Sequence, residues 1–239
     1  MLKIITWFWK PHKNYRKQFA GEAVRVLRDM VRRHLHVPHE FICITDSPEE
    51  IDPTIRTIPL WPAIAASDIS SKKPNCYRRL FAYSDQMAQV LGGSGHFLSL
   101  DLDCVIVGDL TPLLWPPQEF KIWGDTAKGT PYNGSMWMLK PGARTQVWEQ
   151  FPATGNEAHH KTRIARFIGS DQAWVAYVLG DREATWSDRD GVYSFRNHFR
   201  ATGRIELPPN ARIIHFHGSY SPWDVEVHRH YPWVSEHWQ

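Results

Sequence analysis

The sequence contains few cysteines and no long apolar segment. Its 239 residues include three cysteines, Cys43, Cys76 and Cys104, and no C-x-x-C motif. This pattern argues against a disulfide framework or a cysteine-based zinc site and is typical of a reducing compartment, so we expect a cytoplasmic protein. No run approaches the roughly 18 apolar residues of a membrane-spanning helix, and we expect no membrane span.

The sequence also lacks internal repeats, low-complexity tracts and the G-x-x-x-x-G-K loop of many nucleotide-binding proteins. The formal net charge of +3 suits phosphate-bearing ligands but does not require a nucleic acid. The length suits one α/β domain, which we expect to span residues 1–239.

Short apolar runs alternate with amphipathic segments along the chain. Apolar residues recur at helical spacing in several segments, which predicts helices at 19–30, 77–91, 143–151 and 173–179. Continuous apolar runs predict strands at 2–9, 41–45, 55–60, 97–100, 104–107, 121–123, 135–139, 192–195 and 212–216. We therefore predict an α/β fold with a mixed, mostly parallel sheet and helices on both faces.

Two acidic residues follow the strand at 97–100. Side chains alternate along an extended chain, so Asp101 and Asp103 project to one side and Leu102 to the other. At a separation of ~5 Å and an effective dielectric constant of ~20, the two charges repel by roughly 3 kcal/mol, which a bound cation would relieve. Carboxylate oxygens favour Mg²⁺ or Mn²⁺. Because ligands of open α/β sheets bind at the carboxyl ends of strands, we prefer a metal site to a pair of exposed loop acids.

Two further polar motifs have simple structural explanations. Asn133-Gly134 before an apolar strand is an ordinary turn signal. Ser170 suits the N-cap of the helix at 173–179, where Asp171 gains from the helix dipole. Neither motif requires chemistry when it is considered alone.

Taken together, four motifs occur in the order found in the GT-A nucleotide-sugar glycosyltransferases. An apolar strand that ends in D-x-D and is followed by an acid and a leucine resembles residues 97–110. The N-S-G motif of the family resembles Asn133-Gly134-Ser135, with the last two residues transposed. An acid followed by glutamine at a helix start matches Asp171-Gln172. The late H-F-x-G-x-x-K-P-W motif resembles residues 215–223, with Ser221 in place of the lysine. The chain resembles most closely the group of glycogenin and the bacterial lipopolysaccharide galactosyltransferases.

The resemblance implies a metal site that holds Mn²⁺ or Mg²⁺. Asp101 and Asp103 would be two ligands, and the motif register makes His215 the third. Strand alternation leaves His217 on the same face, so the choice between the two histidines stays open. A buried structural histidine is the alternative for either.

The resemblance also implies a donor site. Thr6 and Tyr15 match positions that hold the uracil, Arg79 matches a basic residue near the donor, and Asp101 would also lie near the ribose. Gly218 would let the backbone approach the diphosphate, because a Cβ atom there would keep it away.

The transferred sugar would face two further residues, Asn133 and Asp171. Whether Asp171 attacks, positions or only binds the sugar stays open. Ser221 gives up the positive charge of the family lysine. Either the donor is held more weakly and depends more on metal, or another cation, such as Arg79 or loop residue Lys73, compensates.

The implied activity is metal-dependent transfer of a sugar from a UDP-sugar, with retention of configuration, by a hexosyltransferase-like enzyme. The rivals are a metal-dependent nucleotidyltransferase or phosphohydrolase and a noncatalytic carbohydrate-binding protein. The acceptor could be a glycan, a lipopolysaccharide, a protein or modified DNA. DNA is kept because several basic residues could reach a polyanion, namely Arg25, Arg28, Arg32, Lys72 and Lys73.

Overall fold

The computed structural model describes residues 1–10, 17–61, 76–124 and 130–239. Within these ranges, seven strands form one mixed sheet in the order β3-β2-β1-β4-β7-β6-β8, and three strands form a second sheet in the order β5-β10-β9. The strands are β1 Leu2–Phe8, β2 His39–Thr45, β3 Arg56–Pro59, β4 Phe97–Leu100, β5 Cys104–Ile106, β6 Phe120–Trp123, β7 Asn133–Leu139, β8 Thr185–Trp186, β9 Val192–Ser194 and β10 Ile213–His215.

The pairings make the larger sheet mostly parallel, as the sequence predicts. Strands β3, β2, β1 and β4 run parallel to one another, and β6 and β8 are also parallel. Strand β7 is antiparallel to both β4 and β6.

Helices cover both faces of this sheet. The α-helices are α1 Glu22–His34, α2 Met87–Leu91, α3 Gln146–Glu149, α4 Gly155–Ile164, α5 Asp171–Leu179, α6 Val225–His230 and α7 Pro232–His237. Shorter 3₁₀ or π segments occupy Pro48–Glu50, Cys76–Tyr83, Thr111–Leu114, Asp188–Asp190 and Phe195–Arg200. In the described part of the chain, no helix is long and apolar enough to cross a membrane.

Alternation along β1 divides the core into two clusters. Ile4 packs with the apolar side of α1 and with the second sheet, whereas Ile5 packs with the opposite face, under Leu80 and Val175. Neighbouring residues of one strand point to opposite faces, so a nearly continuous apolar strand fills both.

Several parts of the chain differ from the sequence prediction, and β8, α6 and α7 are not among the predicted elements. The single helix expected at 77–91 is a 3₁₀ segment, Cys76–Tyr83, followed by the short α2. The polar composition of residues 152–161 predicts a surface insertion, but most of this segment lies in α4, Gly155–Ile164. The first turn of α4 is capped by a hydrogen bond in which Glu157 N donates to Thr154 Oγ1 at 3.2 Å. Threonine followed three residues later by glutamate is a helix-start signal that indicates this helix.

The site predicted from the acid pair lies at the junction of the two sheets. The chain leaves the larger sheet at Leu100 and enters the smaller one at Cys104. Asp101 N donates to Ser135 O at 2.9 Å, and Phe216 N donates to Asp103 O at 2.7 Å. The backbone of each acid is therefore fixed to a different sheet.

Candidate active site

A cavity of about 260 Å³ opens at this junction. Its described walls come from the carboxyl ends of β1 and β4, from the start of β7, from the start of α5, and from the turn after β10. The lining residues include Trp7, Trp9, Lys17, Phe19, Arg79, Asp101, Asp103, Asn133, Gly134, Gln172, His217 and Gly218. The cavity thus combines aromatic surface with charged groups.

Arg79 holds two of the predicted site residues together. Its side chain is only 5% exposed, and its guanidinium is ion-paired with both Asp101 and Asp171, the second at 2.5 Å. The same group donates to Gly134 O at 3.0 Å. Although burial opposes its charge, the carboxylates of Asp101 and Asp171 raise the pKa of Arg79 above its ordinary value.

Asp101 is partly exposed to the cavity. Burial raises the pKa of this carboxyl to about 6; Arg79 opposes the rise, and the charges of Asp103 and Asp171 add to it.

Asp171 lies behind the cavity wall rather than in it. Its side chain is 6% exposed, pairs with Arg79, and accepts a hydrogen bond from Ser170 Oγ at 3.1 Å. The Ser170 side chain makes no cap hydrogen bond to α5, so the predicted capping role is replaced by this contact. The next residue, Gln172, lines the cavity.

Gly134 makes this arrangement possible. A Cβ atom at this position would lie 2.9 Å from Asp171 Oδ2 and 3.0 Å from Arg79 Nη2. Asn133 beside it lines the cavity and accepts from Ser135 N at 2.9 Å through its Oδ1 atom. The Asn-Gly pair therefore begins the strand and leaves space for the ion pair.

Asp103 is paired with a residue that the sequence analysis did not select. Lys17 Nζ lies 2.6 Å from Asp103 Oδ2 and also donates to Phe216 O at 2.7 Å and Tyr220 O at 2.9 Å. The Lys17 side chain is 5% exposed and lines the cavity. No local sequence signal indicates this contact, because the partners lie 86 and more residues away.

The predicted metal ligands do not form a metal centre in the described part of the chain. There, no group of three His, Cys, Asp or Glu side chains is placed to hold a metal ion. Asp101 faces Arg79, and Asp103 faces Lys17. In this arrangement the donor set does not fit Mn²⁺ or Mg²⁺, and metal dependence stays a prediction.

The two histidines occupy different environments. His215 is fully buried and stacks on Trp123, with ring centroids 4.7 Å apart. His217 lines the cavity, and its Nε2 lies 2.6 Å from Ser194 Oγ. Among the described cavity residues it is therefore His217, and not the predicted ligand His215, that contributes to the wall.

Of the other residues predicted to bind the sugar donor, Gly218 lines the cavity, whereas Thr6 and Ser221 do not. Gly218 lines the cavity with φ +111°, a backbone conformation that favours glycine. Thr6 is fully buried, and its hydroxyl donates a hydrogen bond to Leu100 O at 2.8 Å. Ser221 is 4% exposed, and its backbone N–H donates to Asp224 Oδ2. Neither side chain reaches the described cavity wall. Tyr15 and Lys73 lie outside the described residues.

The fold defined by these elements is that of the GT-A glycosyltransferases, as the sequence resemblance implies. The chain matches no family model and no curated protein sequence. It is similar to the solved structure of the galactosyltransferase LgtC bound to donor and acceptor sugar analogs, with a TM-score of 0.64 at 14% identity, covering 99% of this chain and 96% of that one.

Two other solved glycosyltransferases have a similar fold. For GlyE of Streptococcus pneumoniae TIGR4 the TM-score is 0.58 at 14% identity, covering 94% of this chain and 57% of that one. For mouse xyloside xylosyltransferase 1 it is 0.53 at 13% identity, covering 90% and 97%. At these identities the likeness concerns the fold.

Proposed function

We propose that this protein is a glycosyltransferase that transfers a sugar from a nucleoside-diphosphate sugar, with UDP as the carrier, to an acceptor. The observation that carries the proposal is the cavity at the carboxyl ends of β1 and β4, where Arg79 holds Asp101 and Asp171 in a GT-A fold. This is the edge at which open α/β sheets bind ligands.

The described walls offer a surface for each part of the donor. Trp7, Trp9 and Phe19 provide aromatic faces on which a uracil ring can stack. Gly218 brings backbone close to the diphosphate. Asn133 and Gln172 are polar groups that can hydrogen-bond the transferred sugar.

Positive charge at the leaving group lowers the barrier, because the nucleoside diphosphate gains negative charge as the anomeric bond breaks. The buried Asp171 acts through Arg79, which in turn fixes the Asp101 carboxylate. We propose retention of configuration on the basis of the family resemblance, with no nucleophile assigned.

The acceptor is proposed to be a sugar, because LgtC binds an acceptor sugar analog. Modified DNA is less favoured. Arg25 is paired with Glu22 and Asp29, and Arg28 with Asp29 and Asp52, so these two arginines of α1 are already neutralised. A reducing, cytoplasmic location is proposed from the free thiols of all three cysteines.

UDP release from a panel of UDP-sugars, measured with EDTA and with Mn²⁺, tests the proposal. We expect UDP to form with at least one donor. Release of UMP or phosphate instead would indicate a nucleotidyltransferase or phosphohydrolase, and sugar binding without turnover would indicate a carbohydrate-binding protein.

Substitutions at two adjacent residues distinguish a side chain that contacts the sugar from one that holds the site in position. Gln172→Ala should lower turnover about tenfold or more with little change in melting temperature, because its side chain lines the cavity. Asp171→Asn should lower both, because it leaves the buried Arg79 with one carboxylate fewer. Melting temperature and kcat, measured on both variants, distinguish the two roles. An unchanged kcat in Gln172→Ala would contradict the contact of Gln172 with the sugar.

A further inference from the structure

The Lys17 ammonium is surrounded by oxygen atoms. It carries three N–H donors, and it has three acceptors at 2.6, 2.7 and 2.9 Å: one carboxylate oxygen of Asp103 and the carbonyl oxygens of Phe216 and Tyr220. The Lys17 side chain is 5% exposed and lines the cavity. A cation with an oxygen shell, one member of which is a D-x-D carboxylate, is the arrangement expected of a metal ion at this position.

The two acids that line the cavity each have a cationic partner without a divalent ion. Among the described cavity-lining residues, the acids are Asp101 and Asp103 and the cations are Arg79 and Lys17. Each acid is ion-paired with one of these cations. Arg79 is also paired with Asp171 behind the cavity wall, so the three carboxylates and two cations keep one net negative charge. Lys17 and Arg79 therefore relieve part of the repulsion between Asp101 and Asp103 that led us to expect a metal ion from the sequence.

The same lysine brings positive charge to the turn that contains Ser221. Its Nζ atom contacts Tyr220 O on one side of Ser221, and on the other side it lies 5.9 Å from the centre of the Trp223 ring. Ser221 itself is buried and neutral. The charge that this turn lacks in its own sequence is supplied from a segment about 200 residues earlier.

We infer that Lys17 takes the place of a divalent cation at Asp103, so that the donor diphosphate binds without a metal ion. This inference rests on the proposed function. All three N–H donors of the ammonium already have acceptors, so it acts on a diphosphate beside Gly218 through its charge, and Asp103 holds the ammonium in position.

Calorimetric titration of UDP into the wild type, Lys17→Met and Lys17→Arg tests this, with EDTA and with excess Mn²⁺. In the wild type, the Kd should differ by less than about threefold between the two conditions. Lys17→Met should weaken binding about tenfold or more in EDTA and regain affinity with Mn²⁺, because Asp103 then lacks the cation with which it is paired. Lys17→Arg keeps the charge and should retain most of the affinity in EDTA.

Two further variants distinguish the loss of the Lys17 charge from misfolding: a control at an exposed lysine, and a double variant that removes both charges of the Lys17–Asp103 pair. Lys161→Met removes an exposed lysine of α4 paired with Glu157 and should not change UDP affinity. Lys17→Met with Asp103→Asn removes both charges of the pair, so no carboxylate is left buried and unpaired. Weak UDP binding in EDTA by this folded double variant supports the inference.

The outcomes separate this inference from the proposed function. If UDP binds the wild type only with Mn²⁺, or if folded Lys17→Met binds UDP as well as the wild type in EDTA, Lys17 does not replace the metal. If UDP binds to none of the proteins under either condition, the proposed function fails.

Discussion

A single guanidinium fixes the relative positions of three chain segments. Arg79 contacts the end of β4 through Asp101, the start of α5 through Asp171, and the start of β7 through Gly134. Because the guanidinium is almost fully buried, the loss of either carboxylate leaves one of its N–H donors without that partner where water does not replace it. The positions of Asp101 and Asp171 therefore depend on the space around the Arg79 guanidinium as well as on its charge.

Gly134→Ala tests that dependence. The added Cβ atom would lie within 3.0 Å of Asp171 and Arg79 and would force the pair to move. We expect turnover to fall about tenfold or more, because a shift of about 1 Å in a positioned group is sufficient, at a cost of about 1–3 kcal/mol in unfolding free energy.

Gly95→Ala is the matched control for this change. Gly95 precedes β4, whereas Asp101 follows it, and a Cβ atom at Gly95 would meet only Met1 O, at 3.2 Å. Kinetics and urea denaturation of both variants provide the comparison. Equal kcat values for Gly134→Ala and the wild type would show that the Arg79 pair tolerates displacement.

Residue patterns predicted the acids but not their partners. Asp101 and Asp103 follow an apolar run, and the position of a strand end is a local property of the sequence. The contacts of Arg79 and Lys17 join residues 22 and 86 positions away from the acids, so they are decided by tertiary packing. The burial of His215 and the position of His217 in the cavity wall likewise follow from tertiary packing, since alternation places both histidines on one face.

At the scale of elements, strand prediction was more successful than helix prediction. Buried strands such as β1 and β4 are continuous apolar runs with clear ends. The segment Cys76–Tyr83 has apolar residues at helical spacing, but it is buried on nearly every side, including at Arg79. Tertiary contacts therefore override the α-helical preference there, and the segment forms a 3₁₀ helix that no spacing rule indicates.

The packing of α7 against the end of α1 is predicted to depend on pH. The rings of His34 and His237 lie 5.9 Å apart, and burial lowers the pKa of both below the ordinary 6.5. The nearby Arg33 lowers both pKa values further. Asp109 raises the pKa of His34, and Glu236 raises the pKa of His237, so each acid partly opposes this effect. The unfolded chain therefore binds more protons just below pH 6.5, so the contribution to stability is present above that pH and is lost as pH falls toward the folded values.

Hydrogen exchange of residues 225–239 at pH 7.5 and 5.5 measures this effect. We expect protection of α6 and α7 to decrease at the lower pH, and to decrease less in His237→Gln, which removes one of the two titrating rings. Equal pH dependence in the two proteins would contradict the role of His237.

At the scale of the whole molecule, the cavity joins the two sheets, so a ligand bound there contacts both. Ligand that binds only the folded state at a hundred times its Kd stabilises it by about 2.7 kcal/mol. For a chain of this length that corresponds to a rise in melting temperature of roughly 5–10 °C. We expect UDP to give a larger rise than ADP, GDP or CDP.

A nucleotide panel in a thermal-shift assay, repeated with EDTA, checks this expectation. Uridine without phosphates is the control for the base alone and should give a smaller rise than UDP. Equal shifts with all four nucleotides would mean that the aromatic wall does not select uracil.

The Lys17 contacts have a consequence for the order of folding. They join residue 17 to residues separated from it by 199 and 203 positions, among the longest loops that the fold must close. Closing such loops costs more entropy than forming local elements, so α1 and the β1–β2 pair are expected to form earlier. During synthesis, residue 17 must wait until residue 220 has left the ribosome before its ammonium acquires all three oxygen partners. The nascent chain is therefore expected to gain its ability to bind nucleotide abruptly and late, after most of its helices and strands are present.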